Sequence, residues 1–249
     1  MSHPEFMRQI SELKGQGKTK ALVFGRFQPL HPGHQLFFNA VLQSGLELHI
    51  FLNSKANTPD GRNPYTVRQK RRMFELVLPQ SSQVHFHDVH VYLGGGGDVG
   101  NDVRTLIKAF ETVGPVSESV IFCTEKPVDI KSYTADGVTH EKIHYVDLLV
   151  HPRGPFSKQS VPPEISRVNG VEISATLFRK GTRYDLLSPK VAQYVRGQHY
   201  IASLNGRNVG DDNSNDQRVV NTTLCQVTNL HIGWLQLELL REGKTILFR

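Results

Sequence analysis

Short apolar runs alternate with stretches whose apolar residues recur every three or four positions, and this beat carries through most of the chain. Ala21-Leu22-Val23-Phe24 has the length and continuity of a strand buried on both faces. Leu36, Phe37, Ala40 and Val41 then keep helical spacing up to Ser44-Gly45, a fitting helix stop. The pattern next predicts a strand over 46–52, a polar loop over 53–63, and a helix opened by Pro64-Tyr65-Thr66 that carries Met73, Phe74, Val77 and Leu78. A strand over 84–93 follows, and after Gly94 to Gly97 a helix runs through Val99, Val103, Leu106, Ile107 and Phe110 until Gly114-Pro115. Runs at 119–123 and 143–150 predict a fourth and a fifth strand. Strands alternating with helices predict right-handed crossovers and an α/β fold, a Rossmann-like, mostly parallel sheet flanked by helices on both faces. Such sheets bind ligands beyond the carboxyl ends of their strands.

The stretch 151–170, rich in Pro and Gly, reads as an irregular loop over that edge. The segment 173–179 follows it, and Ser188-Pro189 starts a last helix through Val191, Tyr194 and Val195. Composition then shifts to Asn, Asp, Gly and Ser over 205–217, and 219–227, 233–240 and 244–248 read as three short strands. The expected organisation is an N-terminal extension over 1–19, a main domain over 20–204, and a linker with a small C-terminal β-rich appendage over 205–249. Glu5-Phe6 before Met7 looks like a junction with foreign sequence, so 1–6 stands outside the fold argument.

Composition narrows the function. No apolar stretch approaches the roughly 20 residues of a membrane helix, and no signal-peptide core is visible, so no membrane partner and a cytoplasmic location are expected. Cys123 and Cys225 have no spacing that suggests a disulfide framework or a zinc ribbon. A net charge of +6 and a pI near 9.3 suit an enzyme whose substrates are all anionic. The densest basic run, Arg68, Lys70, Arg71 and Arg72, reads as a solvated helix face, and nucleic acid is not an expected partner.

The chemistry concentrates in Gly25-Arg26-Phe27-Gln28-Pro29-Leu30-His31-Pro32-Gly33-His34. Two histidines three apart sit where a strand becomes a helix, and Pro29, Pro32 and Gly33 bend the chain there. The N–H groups of the new helix and both imidazoles can then converge on one anion, and a nucleoside triphosphate is the natural guest. His85, His87 and His90 lie on one predicted strand, the first two on a shared face; solvated strand histidines are a commoner outcome than zinc. Gly94 to Gly97 lacks the Lys-Ser/Thr of a phosphate loop and reads as a turn.

Three segments together resemble a known set. His31-Pro32-Gly33-His34 resembles the His-x-Gly-His signature of a nucleotidyltransferase superfamily. Ile173-Ser174-Ala175-Thr176-Leu177-Phe178-Arg179 resembles its second signature, Ile-Ser-x-Thr-x-x-Arg, and Asn63-Pro64-Tyr65-Thr66 resembles the Asn-Pro-Phe-Thr that opens a helix in one branch. Arg26 and Gln28 make the first segment similar to the archaeal-type nicotinamide-mononucleotide adenylyltransferases, where other branches more often show Gly-Thr-Phe-Asp-Pro. The resemblance covers about 20–196.

It implies an adenylyltransferase that joins ATP to nicotinamide mononucleotide, or its nicotinate analogue, and releases pyrophosphate. By the same resemblance His31, His34 and Arg179 would be catalytic, and Gly25, Arg26, Phe27, Gln28, Gly33, Ser174 and Thr176 would bind ATP and its phosphates. Asn63, Tyr65, Lys126, Asp129, Asp147 and Arg153 would line the acceptor. Mg²⁺ would come with ATP rather than through a protein carboxylate cluster, and a homo-oligomer is expected. Two departures stand out: the family's Glu-Arg pair reads Gln69-Lys70 here, and the only tryptophan, Trp234, lies in the tail. Phe27, Tyr65, Tyr133 and Phe156 are all candidates for the ring that stacks on pyridine. The alternatives are a same-fold transferase with another phosphorylated acceptor, or a non-catalytic nucleotide- or nucleic-acid-binding regulator.

Overall fold

The computed structural model describes residues 3–53, 63–79, 81–91, 99–124, 130–135, 138–152, 154–168, 171–179 and 183–204. Five parallel strands build its central sheet: β1 (Lys20–Gly25), β2 (Glu47–Asn53), β3 (Val84–Val89), β4 (Ser119–Thr124) and, later in the chain, β7 (Ser157–Val161). Their order is β3-β2-β1-β4-β7. The order reverses at β1, which makes the crevice between the carboxyl ends of β1 and β4 the switch point where sheets of this kind take ligands. Residues 25–34 leave β1 at that point.

The inner strands β1, β2 and β4 read as largely apolar runs because both of their faces are covered. On one face Ala21, Val23, Leu48, Ile50, Val120 and Phe122 join a core with three helices, α2 (Pro32–Gln43), α3 (Val67–Val77) and α6 (Pro189–Leu204). Those helices supply Phe37, Phe38, Met73, Phe74, Val191 and Tyr194. On the other face Leu22, Phe51 and Ile121 pack with Leu106 and Phe110 of α4 (Val99–Glu111). Residues one apart on β1 thus serve opposite cores, as the two-residue period of a strand requires. Gly45, at φ 78°, terminates α2 just past its cap at Ser44. Thr66 and Gln69 form a reciprocal capping box that starts α3.

Four expectations need correction. The fifth strand of the sheet is β7, inside the stretch read as an irregular loop. The apolar run 143–150 is divided between β6 (Val138–His144), paired in antiparallel fashion with β5 (Ile130–Ala135), and a 3-10 turn over Tyr145–Leu148, with Val146 in the turn and Leu149 just after it buried. An apolar run of that length does not distinguish a strand from a buried turn, and β7 was hidden because Ser157-Lys158-Gln159-Ser160 is polar. Second, β3 ends at Val89 rather than at 93. Third, Phe6 belongs to the fold: from α1 (His3–Gly15) it is fully buried, with its ring 6.3 Å from both Phe37 and Phe122.

Fourth, the basic run on α3 is no uniform solvated face. Lys70 is buried and donates to the Asn53 carbonyl, and burial lowers its pKa to about 8. Arg71 pairs with Asp88 at 3.3 Å and lies over the Phe86 ring. Among the described residues no helix is long and apolar enough to cross a membrane. Cys123 lies in β4 against the α4-side core, consistent with a packing role.

Candidate active site

The turn out of β1 is held in a costly shape by aromatic packing. Phe27 has φ 48°, the left-handed region that a bulky residue rarely enters. Its buried ring meets the Phe74 ring at 5.0 Å and the Phe38 ring at 5.9 Å, and these contacts hold the conformation in place. The ring also lies across Gly25, where an added Cβ would come within 2.8 Å of it. Gly25 is therefore the residue that lets Phe27 fold back under the turn.

That turn delivers the two histidines together. His31 caps α2, and Pro32, Gly33 and His34 form the helix's first turn, where amide N–H groups lack a carbonyl partner within the helix and favour an anion. The His31 and His34 rings stack with centroids 3.6 Å apart. The backbone N–H of His31 donates to His34 Nδ1 at 3.3 Å. An N–H can only donate, so Nδ1 of His34 is the acceptor nitrogen and the ring's proton resides on Nε2. The edge of Phe27 fixes the ring plane from the side, 5.1 Å away.

Arg179 ties the second segment to the first. It ends α5 (Ala175–Arg179), is buried, and donates from one guanidinium nitrogen to the Gln28 carbonyl and from another to Thr176 Oγ1, both at 2.9 Å. The one-turn helix sets Thr176 and Arg179 three apart on one side. Thr176 accepts that bond through its oxygen and keeps its own O–H to give. Ser174 and Thr176 are half-buried, and Arg26 is exposed.

A third layer backs the turn. The buried Gln28 amide donates to the Tyr65 carbonyl and accepts from the Tyr65 N–H, each at 2.9 Å. Tyr65 Oη lies 2.7 Å from Nε2 of His199, and Tyr184 Oη lies 2.6 Å from its Nδ1. Burial lowers the His199 pKa to about 3, so the ring is neutral, with one nitrogen donating to a tyrosine and the other accepting. Arg179, Gln28, Tyr65, His199 and Tyr184 thus form one connected chain through the protein behind the turn.

The sequence-derived site residues fall into three groups. His31, His34, Gly25, Phe27, Gln28, Gly33, Thr176 and Arg179 come together at the carboxyl end of β1. Gln28 and Tyr65 do so with their polar atoms turned on each other. Asp147 is elsewhere: it pairs with Lys158 at 2.9 Å, and Lys158 is the register partner of Ile121 on β7, two strands from β1. Asn63 is half-buried just before Pro64. Lys126, Asp129 and Arg153 lie outside the described residues, as do Gly94 to Gly97 and the whole of 205–249 with Trp234. Of the rings proposed to stack on pyridine, Phe27, Tyr65 and Phe156 are all buried in the protein.

Sequence reasoning missed His199 and Tyr184. A signal was present: His199 keeps the spacing of Val191, Val195 and Tyr194 on the buried side of α6, and a histidine at an apolar helical position asks for a partner. The family's Glu-Arg positions, Gln69 and Lys70, are both structural here. Gln69 closes the capping box and donates to Gln198, and Lys70 fixes the end of β2.

Residues 22–132, from β1 into β5, match the cytidylyltransferase-like family model. This chain is also similar to a nicotinamide/nicotinic acid mononucleotide adenylyltransferase from Acinetobacter baylyi, 29% identical over 103 residues, or 41% of this chain and 52% of that protein. The fold aligns with a bifunctional NMN adenylyltransferase/ADP ribose pyrophosphatase from Francisella tularensis at a TM-score of 0.51. That alignment has 18% identity and covers 89% of this chain and 56% of the other. A second structure of such an enzyme from Francisella tularensis, complexed with AMP and a manganese ion, aligns at a TM-score of 0.44 with 18% identity, over 90% of this chain and 56% of that one. These alignments span about half the length of the relatives they match.

Proposed function

We propose that the segment read from the sequence as the main domain, 20–204, is a nucleotidyltransferase that transfers the adenylyl group of ATP to nicotinamide mononucleotide or its nicotinate analogue. A phosphate oxygen of the acceptor attacks the α-phosphorus of ATP, the bond from that phosphorus to the bridging oxygen breaks, and magnesium pyrophosphate leaves. The acceptor phosphate is already ionised near neutral pH, so no general base is required, and catalysis rests on positioning and on stabilising charge as it develops. Mg²⁺ enters with ATP as part of the substrate.

One observation carries this reading: a stacked His31–His34 pair at the start of α2, with the His34 proton fixed on Nε2, beside an arginine clamped to the same turn. In this reading His34 Nε2–H donates to an oxygen on the reacting phosphorus, His31 binds the neighbouring phosphates, and the first amides of α2 add their N–H groups. Thr176 and Ser174 give hydroxyl protons to the outer phosphates, and Arg179 balances the departing pyrophosphate. Its guanidinium is already held by Gln28 and Thr176, so little reorganisation is needed at the moment of reaction. The acceptor belongs on the α3 side of the turn, towards Asn63.

The test is a panel assay on the full chain with ATP, magnesium and phosphorylated acceptors: the two pyridine mononucleotides, pantetheine phosphate, glycerol phosphate and flavin mononucleotide. Pyrophosphate release with a dinucleotide mass from a pyridine acceptor is expected. Turnover with a different acceptor, or none with any, overturns the reading.

A further inference from the structure

At the opposite end of the sheet from the motif turn, strand register gathers side chains that the proposed transfer does not use. Glu47 and His49 are two apart on β2 and share a face. His85 is the direct parallel partner of His49 on β3, and the two rings stack with centroids 4.5 Å apart and 16° between planes. His49 Nε2 lies 3.4 Å from Glu47 Oε2, and ligand atoms of Glu47, His49 and His85 all fall within 4.8 Å of one another. The other nitrogen of His49, Nδ1, lies 3.1 Å from Nε2 of His87, whose ring in turn stacks on Phe51 at 4.5 Å.

We propose that Glu47, His49 and His85 form a binding site for one divalent transition-metal ion of the zinc class. Two imidazoles and one carboxylate suit zinc, cobalt or nickel rather than the all-oxygen preference of magnesium or calcium. Two ligands each about 2.1 Å from a tetrahedral ion stand roughly 3.4 Å apart, which is the separation that Glu47 and His49 already have. His85 closes the set by turning out of its stack on His49, so that its in-plane lone pair meets the ion, a rotation open to a half-buried ring. The side chain of His49 is 7% exposed and that of Glu47 48%, so the site is anchored in the core and open to an ion from solvent. The fourth position is left for water or an added ligand.

His87 sets the state of the buried ligand. When His49 Nδ1–H donates to His87 Nε2, the His49 Nε2 lone pair faces the ion. Without an ion, the reverse arrangement satisfies every group: His87 donates to His49 Nδ1, and His49 Nε2–H donates to Glu47. Metal binding therefore flips a tautomer, and that flip is observable.

The full chain, stripped with chelator and titrated with Co²⁺, should take up one equivalent at micromolar concentration. It should develop the visible absorption of a four- or five-coordinate site, which Zn²⁺ then displaces. ¹⁵N shifts of His49 should report the tautomer flip. Glu47→Gln and His85→Asn should each weaken binding roughly 100-fold, and His87→Phe roughly 10-fold with the absorption band kept. His34→Ala should leave the titration unchanged. Glu47 is half exposed, so Glu47→Gln decides the question even if His85→Asn unfolds. Failure to reach one equivalent, a band that survives Glu47→Gln, or a band lost in His34→Ala would overturn the site.

Discussion

The two ends of this sheet each hold a stacked histidine pair, and the backbone beneath decides what each pair is for. At the carboxyl end, His31 and His34 sit on the first turn of a helix, where N–H groups converge and the local field favours an anion. At the amino end, His49 and His85 stand on neighbouring parallel strands with Glu47 beside them, and the carboxylate reverses the preference to a cation. The ends also differ in how much of their geometry is fixed beforehand. The carboxyl end is braced by Arg179, Gln28, Tyr65, His199 and Tyr184, all buried. The amino end relies on strand register and one buried ring, with its carboxylate in solvent. A site that stabilises a transition state must be rigid before its ligand arrives, whereas an ion can assemble its own.

The sharpest way to break this contrast is His34→Ala. If the carboxyl end is preorganised for the transition state, kcat should fall by about 10²–10³ while ATP affinity changes far less, as steady-state kinetics and calorimetric titration would read. Equal losses in both would reduce His34 to ground-state binding.

Acid tests the brace. His199 is neutral in the fold, with a pKa of about 3 against an ordinary value of 6.5. Its stabilising contribution is complete above pH 6.5 and fades as pH falls, because the unfolded chain then binds a proton that the folded chain refuses. Urea unfolding at pH 7 and pH 4 should differ by about 3 kcal/mol from this group, and that increment should vanish in His199→Phe. A variant with an unchanged pH slope would mean that His199 is not buried and neutral. Next in size, Gln28→Leu leaves the Tyr65 N–H and carbonyl without partners and should cost about 2 kcal/mol in the same assay. A loss within 0.5 kcal/mol, on the order of an ordinary surface change, would remove Gln28 from the brace.

The smallest effect at pH 7 serves as a contrast. Lys70 supports the end of β2, with its pKa lowered to about 8 by burial. Between pH 8 and 10.5 the unfolded chain keeps a proton that the folded chain has released, so stability should rise with pH in that window. Lys70→Met should flatten the rise while changing stability at pH 7 by about 1 kcal/mol or less. A persisting rise would assign it to another group.

What could be read from the sequence follows the distance over which each feature is encoded. The turn at 25–34 is contiguous, and its glycine, prolines and histidines announce the strand-to-helix junction by themselves. The cores were legible because strands covered on both faces are apolar throughout. By contrast β7 carries Ser, Lys and Gln, and no apolar signal marks it. The Gln28–Tyr65 and Tyr65–His199 ties span 37 and 134 residues and depend on complementary geometry rather than on residue type. The histidines at 85 and 87 were visible as a same-face pair, but their partners Glu47 and His49 appear only once β2 and β3 are in register.

The polar character that concealed β7 has a consequence for the molecule in a crowded solution. Among the described residues β7 and β3 are the outermost strands of the central sheet, and such strands can template pairing with another chain. One carries Lys158 and Gln159, the other His85, His87 and Asp88, so neither outer strand is a smooth apolar ribbon. The inner strands, which are apolar enough to aggregate, lie between these polar flanks.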